Sequence, residues 1–155
     1  VGCIIGEGPD GVSRTKGFRA AVKDFGLELQ DAWFLNGDFQ REIARKKVMQ
    51  CLENRQELPE VIFAFNDEMA IGAMEALKQM GCRVPEDVSV IGMDDIPQAS
   101  VTSPKLTPYH LPIYEHGVQA ARQLLRMMKE SASGTTVTLT GYMVERDSCR
   151  KPAGN

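Results

Sequence analysis

Hydrophobic and polar positions follow one another along the chain in blocks that predict a repeated strand–helix order. Short apolar runs rich in β-branched residues predict strands at residues 1–6, 32–35, 61–65 and 88–92. Apolar residues that recur every three or four positions predict helices over residues 14–25, 40–54 and 67–80. The order β-α-β-α-β-α-β is typical of an α/β fold in which helices flank a parallel sheet.

The stretch from residue 61 to residue 95 is the most clearly bounded of these blocks. Asp67 is suited to cap the helix, Gly81 to end it, and Pro85 prevents its continuation. A right-handed crossover makes the two flanking strands parallel. Asn66 and Asp94 then lie just past the carboxyl ends of their strands, where open α/β sheets bind ligands.

The second half of the chain departs from the repeat. Four of the eight prolines fall within residues 96–112, which predicts an extended connection and places His110 away from the ligand edge. A helix is predicted over 113–129 and a strand over 137–144. We therefore divide the chain into a βα lobe (1–111), a helix and turn (112–135), a closing strand segment (136–150) and a flexible tail (151–155).

Composition and charge restrict the class of protein. The 155 residues carry a net charge of −3, which argues against this chain gripping a phosphate backbone by itself. The four cysteines show neither CxxC spacing nor a Cys/His cluster, so we expect free thiols in a reducing compartment. The sequence shows neither a charged leader with an apolar core nor an apolar run of membrane-spanning length, so we expect a cytoplasmic protein without a membrane partner.

Residues 6–11, GEGPDG, match the dinucleotide-binding pattern GxGxxG and lie between a strand and a helix. An NAD-dependent oxidoreductase is therefore one alternative. However, Asp31 precedes the second strand instead of ending it, and Pro9 removes a backbone N–H donor. The pattern favours a flexible loop at the rim of a different ligand.

Four side chains are candidates for that ligand site. Arg14, in the first turn of its helix, faces the positive end of the helix dipole, so it needs a partner. Asp94 could supply one directly or through a ligand whose adjacent hydroxyls bond to both groups, although a solvated arginine remains an alternative. Asn66 offers donors and an acceptor, and Phe39 offers an apolar wall. The pair Asp94-Asp95 could instead bind Mg²⁺, but no further oxygen-rich cluster accompanies it, so we expect no metal.

Two further observations concern catalysis and assembly. No nucleophile–base arrangement or HExxH motif is visible, so we expect no enzyme and no cofactor. On the 67–80 helix, Ile71 and Met74 form a second apolar stripe beside the one that faces the sheet. This stripe indicates either a neighbouring chain or a helix sunk deeper in its own core.

Five runs of the chain form a combination far more specific than any single motif. They are FNDEMAIGAMEALKQMGCRVPEDVSVIGMDD (65–95), SPKLT (103–107), SRTKGF (13–18), GDF (37–39) and VERDS (144–148). Together they closely resemble the effector-binding core of the LacI/GalR family of bacterial transcription regulators. The resemblance implies a periplasmic-binding-protein-like core of two lobes, of which this chain is the second, and a helix-turn-helix headpiece elsewhere that reads operator DNA.

The resemblance also implies roles for individual residues. The positions that match Arg14, Asn66 and Asp94 bond the effector, often a sugar, and the aromatic that matches Phe39 stacks on it. Asp10 matches another position that commonly lines the pocket, and Ile71 and Thr102 correspond to homodimer contacts. The helix over 113–129 is implied to pack on the first lobe. Two departures are Pro108, where the family usually has threonine, and Met93, where it usually has an aromatic.

The leading hypothesis is therefore the effector-sensing portion of a LacI-type repressor that binds a sugar or polyol and forms a homodimer. A periplasmic sugar-binding receptor of the same fold is the main alternative. A secretion signal encoded upstream, in place of a helix-turn-helix, would favour that alternative.

Overall fold

The computed structural model describes residues 1–54, 56–130 and 134–151, and a six-stranded sheet lies at the centre of this part of the chain. Its strands are β1 (Gly2–Ile5), β2 (Phe34–Asn36), β3 (Val61–Ala64), β4 (Ser89–Asp94), β5 (Thr107–His110) and β6 (Tyr142–Met143). The order across the sheet is β2-β1-β3-β4-β5-β6, and β6 alone runs antiparallel. The predicted parallel α/β architecture is confirmed.

Helices cover both faces of this sheet. They are α1 (Gly8–Asp24), α2 (Arg41–Glu53), α3 (Asp67–Gln79) and α4 (Ile113–Glu130), with single 3₁₀ turns at Asp31–Trp33 and Pro97–Ser100. From β1 the chain crosses to β2 at one side and then returns through β3 to β4, so right-handed crossovers place α1 opposite α2 and α3. Phe63 accordingly stacks on Phe18 of α1, while its neighbour Ile62 is fully buried in the core.

The first helix begins earlier than the sequence indicates. The predicted start of this helix at residue 14 is wrong, because α1 already starts at Gly8. Gly8 turns the chain at a φ of 85°, and Pro9 occupies the first turn, where a missing N–H donor costs nothing. Helix and loop signals overlap here, since proline and glycine punctuate loops as well as helix starts.

The N-cap of α3 is Asn66, not Asp67. Asn66 has extended backbone angles, and its side-chain oxygen accepts a hydrogen bond of 2.9 Å from the N–H of Met69. Asp67 is the first helical residue and is completely buried. Both residue types cap helices well, and the end of β3 determines which of the two has the cap geometry.

The proline-rich connection contains more structure than predicted. It includes the 3₁₀ turn Pro97–Ser100 and strand β5, which pairs with β4 in parallel and contains Pro108. Proline lacks one donor, but its carbonyl still accepts a hydrogen bond of 2.9 Å from the N–H of Val144. The strand predicted over 137–144 is much shorter, since only Tyr142–Met143 pairs, antiparallel to β5.

Helix α4 presents large apolar side chains to solvent. Tyr114 is 80% exposed, Met128 is 73% exposed and Leu125 is 54% exposed. These residues do not contribute to the buried core around the sheet. Within the part of the chain that the structure describes, no helix combines the length and apolarity needed to cross a membrane. The four cysteines are free thiols. The predicted tail over 151–155 lies almost entirely outside the described residues.

Candidate functional site

The carboxyl ends of β1, β3 and β4 meet at one edge of the sheet, and the candidate residues collect there. Asn66 follows β3, Asp94 ends β4, and Phe39 lies in the turn between β2 and α2. Arg14 reaches this edge from the second turn of α1, and its predicted place in the first turn is wrong because α1 starts at Gly8. These four side chains lie together at this edge, as predicted. Their binding of a ligand stays a prediction.

Arg14 is held mainly by a backbone group. Its Nη1 donates a hydrogen bond to the carbonyl oxygen of Phe65, while its Nη2 lies 4.0 Å from Oδ1 of Asp94. A close ion pair between nitrogen and carboxylate oxygen measures about 2.7–2.9 Å, so this pair is open by roughly 1 Å. Both side chains are partly exposed, at 26% and 32%. The two charged groups therefore keep free hydrogen-bonding capacity toward the rim.

The charge state of Asp94 reflects its surroundings. Partial burial raises the pKa of its carboxyl above the usual value of 3.8, and the positive charge of Arg14 opposes that shift. A donor that reached Asp94 from solvent would stabilise the ionised form further. The Asp94 carboxylate is thus a hydrogen-bond acceptor whose nearby cation, Arg14, lies 4.0 Å away and does not form a close ion pair with it.

The side chain of Asn66 makes two hydrogen bonds that stabilise the fold. Its oxygen caps α3, and its Nδ2 donates a hydrogen bond of 3.2 Å to the carbonyl oxygen of Phe39. The amide still has one hydrogen and one lone pair unused by these bonds. Asn66 therefore fixes the position of the turn that carries Phe39, a role that the sequence did not indicate.

Phe39 forms an apolar wall next to the arginine. Its ring centroid lies 5.8 Å from Cζ of Arg14, within the range of a cation–π contact. The residue has a φ of 57°, in the left-handed region, as does Asp38 at 49°. The ring packs directly on Gly6, where an added Cβ would be 2.2 Å from a ring carbon. Only glycine at position 6 leaves room for this ring position.

Two of the three glycines of GEGPDG have packing roles, and the third, Gly8, has the positive φ of 85° that turns the chain. Gly6 accommodates Phe39, and a Cβ on Gly11 would lie 1.8 Å from the carbonyl oxygen of Gly6. These contacts account for the spacing without a dinucleotide. Among residues 1–54, 56–130 and 134–151, no group of three or more His, Cys, Asp or Glu side chains is arranged to hold a metal ion.

Asp10 and two further polar residues follow the carboxyl ends of β1 and β2. Asp10 is exposed in the first turn of α1, where a carboxylate is favoured by the helix dipole. Asn36 at the end of β2 donates a hydrogen bond of 2.6 Å to Oε1 of Glu7, and its own oxygen accepts one of 2.9 Å from the N–H of Asp38. The latter bond shapes the turn before Phe39.

The turn after β4 has an unusual backbone that neighbouring groups hold in place. Asp94 and Asp95 have φ values of 114° and 64°, which non-glycine residues rarely adopt. The N–H of Ile96 donates a hydrogen bond of 2.8 Å to Oδ2 of the buried Asp67. Burial raises the pKa of Asp67 from 3.8 to about 6. Asp67 is thus a support for the turn that carries Asp94.

A second group of side chains holds the same turn from the other side. Asp95 accepts a hydrogen bond of 2.6 Å from Nη2 of Arg146, and Nδ1 of His110 lies 3.0 Å from its other oxygen. The expectation that His110 lies away from the ligand edge is wrong. His110 ends β5, and because β5 runs parallel to β4 it pairs with Asp94. A strand prediction over residues 107–110 would have placed His110 at this edge, but Pro108 weighs against a strand there.

The residues implied as dimer contacts lie apart from this rim. Ile71 and Met74 are only 2% and 6% exposed, so the second stripe of α3 is largely buried within this chain. The hydroxyl of Thr102 donates to the carbonyl of Ala99 at 3.2 Å and accepts from the N–H of Leu106 at 3.0 Å. Next to them Val101 is 79% exposed. A cavity of about 350 Å³ lies between α3 and this loop.

A parallel α/β lobe that gathers its polar side chains at the carboxyl edge defines a class of domain that binds small molecules. The family model that describes a periplasmic binding protein-like domain matches residues 1–149. The chain belongs to this family, as the effector-binding core of the LacI/GalR type.

Curated relatives agree with that assignment. The chain is 38% identical over 141 residues to the HTH-type transcriptional repressor PurR of Vibrio vulnificus. The matched region covers 89% of this chain and 41% of the relative. It is 35% identical over 156 residues to PurR of Haemophilus influenzae, covering 97% of the chain and 46% of the relative. The chain thus spans less than half the length of these relatives.

Solved structures have the same fold. A sugar-binding transcriptional regulator of the LacI family from Escherichia coli, complexed with phosphate, matches with a TM-score of 0.85 and 32% identity, over 97% of this chain and 55% of that one. The complex of the regulator CelR with cellobiose matches with a TM-score of 0.85 and 28% identity, over 95% and 46%. A dimeric Lac repressor matches with a TM-score of 0.89 and 25% identity, over 97% and 55%.

Proposed function

We propose that this chain is the effector-sensing portion of a LacI-type transcriptional repressor whose effector is a sugar or a similar neutral polyol. The observation that carries the proposal is the open pair of Arg14 and Asp94. Their facing atoms are 4.0 Å apart, so adjacent hydroxyls of a ligand can accept from the guanidinium and donate to the carboxylate. A charged effector would leave one of the two groups without a suitable partner.

The rest of the rim suits the same ligand class. Phe39 offers a ring face to the apolar C–H face of a sugar, and its position beside Arg14 puts that face next to the polar pair. Asn66 has one donor and one acceptor left for a hydroxyl. We infer that Asp10, which is exposed in the first turn of α1, extends the polar rim. A relative in complex with cellobiose supports this choice of effector class.

The regulatory part of the proposal concerns the complete protein. Its relatives are HTH-type repressors of more than twice the matched length, which supports a DNA-binding headpiece outside this chain. With a net charge of −3 the chain itself is unsuited to hold operator DNA. Effector binding changes operator affinity only by as much as the two conformations differ in effector affinity. The proposal includes a cytoplasmic location, no catalysis and no cofactor.

We also propose a homodimer that uses the surface around α3 and Thr102. Ile71 and Met74 are too buried to be its main contacts, so the exposed Val101 and the neighbouring cavity supply most of the surface. The dimeric Lac repressor among the similar structures supports a dimer, and the choice of surface rests on the exposure of Val101 and on the cavity.

A periplasmic sugar receptor is the second candidate, because the family model describes a periplasmic binding protein-like domain. The coding sequence upstream of Val1 discriminates between the two. A helix-turn-helix supports the repressor, and a secretion signal supports the receptor.

The proposal is tested by binding experiments on the complete regulator. Thermal shift followed by calorimetry identifies the effector class. The ligands are four sugars (D-glucose, D-galactose, lactose and cellobiose) and one purine, hypoxanthine. Arg14→Ala and Asp94→Ala should each weaken sugar binding at least about tenfold, which corresponds to about 1.4 kcal/mol. Asp147→Ala is the matched control, because Asp147 is exposed and its N–H bonds to Lys105 before β5, at the opposite edge of the sheet. Binding of hypoxanthine alone, or unchanged sugar affinity in both rim variants, refutes the assignment.

A further inference from the structure

Two adjacent carboxylates at the end of β4 point to different parts of the molecule. Asp94 lies beside Arg14 at the ligand rim, whereas Asp95 is bonded to Arg146 and His110. A single peptide unit separates the two residues, and both have φ values in the left-handed region. A rotation of the backbone at one of them is therefore transmitted directly to the other.

The partners of Asp95 are themselves anchored to the last two strands. Nη1 of Arg146 donates a hydrogen bond of 2.9 Å to the carbonyl oxygen of Leu106, and its backbone N–H donates one of 3.0 Å to Oγ1 of Thr107. The His110 ring lies 4.8 Å, centroid to centroid, from the ring of Tyr142 on β6. Asp95 thus connects the turn after β4 to β5 and β6 together.

Strands β5 and β6 are the two segments from which α4 projects. The chain leaves β5 at His110, enters α4 at Ile113 and returns to the sheet at Tyr142. Helix α4 carries its exposed apolar side chains, Tyr114 and Met128 among them, away from the core of this lobe. A movement of β5 and β6 relative to the rest of the sheet therefore moves α4 and whatever packs against it.

We propose that Asp95 is a positioning residue that couples the effector-contacting Asp94 to β5 and β6, and through them to α4. The inference rests on the proposed function of the rim and adds the route by which occupancy of the rim reaches the rest of the protein. The Asp95–Arg146 bond suits this role, because both side chains are only 17% exposed and the bond is charge-assisted at 2.6 Å. Effector bound at Asp94 selects one geometry of the turn, and Asp95 imposes that geometry on both strands.

The test separates effector binding from coupling in the complete regulator. Binding is measured by calorimetry with whichever of lactose, cellobiose, D-galactose or D-glucose the wild type binds. Coupling is the ratio of the operator affinity without sugar to the operator affinity with that sugar at saturation. The operator is a DNA fragment that the wild-type regulator selects from a library of sequences. The variants are Asp95→Asn, His110→Phe, which keeps a ring beside Tyr142 but loses the Nδ1 bond, and the exposed control Asp147→Asn.

We expect Asp95→Asn and His110→Phe to reduce the coupling ratio at least about fivefold, within the span of typical allosteric coupling, while sugar affinity without DNA changes less than threefold. Asp147→Asn should match the wild type. A coupling ratio within about twofold of wild type in either folded variant overturns the inference, and so does a fall in sugar affinity of more than about threefold in either variant, because binding and coupling are then not separate. A wild type that binds none of these sugars instead refutes the proposed function itself, irrespective of the variants.

Discussion

Asp67 provides a direct test of the electrostatics beneath the candidate site. Its carboxyl group is completely buried, and Oδ2 accepts the 2.8 Å hydrogen bond from Ile96. Oδ1 is the only buried side-chain oxygen or nitrogen in the described ranges without a hydrogen-bond partner. It lies against Gly92, where an added Cβ would be 2.2 Å away. Replacing Asp67 by Asn removes the charge while keeping the shape and one acceptor.

The size and sign of the expected effect follow from the pKa. Burial raises the pKa of Asp67 from 3.8 in the unfolded chain to about 6 in the fold. Between these two values the folded state binds the proton more tightly, so the contribution of Asp67 to stability is present at low pH and is lost as the pH rises through about 6. A shift of about two units corresponds to about 3 kcal/mol.

The measurement is the free energy of unfolding from urea titrations of the wild type and Asp67→Asn. The variant should gain up to about 3 kcal/mol relative to the wild type as the pH is raised from about 4 to about 7.5. Asp147→Asn, at an exposed position, should show no such trend. A difference between wild type and Asp67→Asn that stays constant across this range refutes the reasoning.

Two further substitutions test the packing of the rim and of the loop near the proposed dimer surface. Gly6→Ala should lower the free energy of unfolding by about 1–3 kcal/mol, because its Cβ overlaps the Phe39 ring; equal stability of the variant in urea would contradict that packing. Thr102→Val should cost about 0.5–1.5 kcal/mol, since the N–H of Leu106 and the carbonyl of Ala99 each lose one hydrogen bond but keep the 2.9 Å bond to each other, whereas Thr102→Ser should retain most of the stability. A melting temperature of Thr102→Val equal to that of the wild type would show that these bonds contribute little.

The elements predicted well are those with strong periodicity. Helix α3 was predicted over 67–80 and extends from Asp67 to Gln79, because two signals, an apolar repeat and a terminal glycine, agree there. Strand β5 was missed because Pro108 weighs against a strand, although pairing with β4 and with Val144 compensates for the missing donor. Missing β5 also displaced His110 from the ligand edge.

The candidate site shows the same division. Convergence of Arg14, Asn66 and Asp94 follows from the β-α-β order, which local patterns indicate, and from the general right-handedness of crossovers, which makes the strands parallel. The hydrogen-bond partners did not follow. Arg14 is bonded to the carbonyl of Phe65, and a backbone carbonyl has no signature in a sequence.

Local periodicity, turn residues and the handedness of crossovers were enough to establish the α/β order, the parallel sheet and the edge that carries the polar side chains. The burial of Asp67 and the bond between Asp95 and Arg146, which are 51 positions apart, required the folded chain. The physical reason is that backbone preferences act over a few residues, whereas burial and hydrogen bonding between distant segments depend on how whole strands and helices pack.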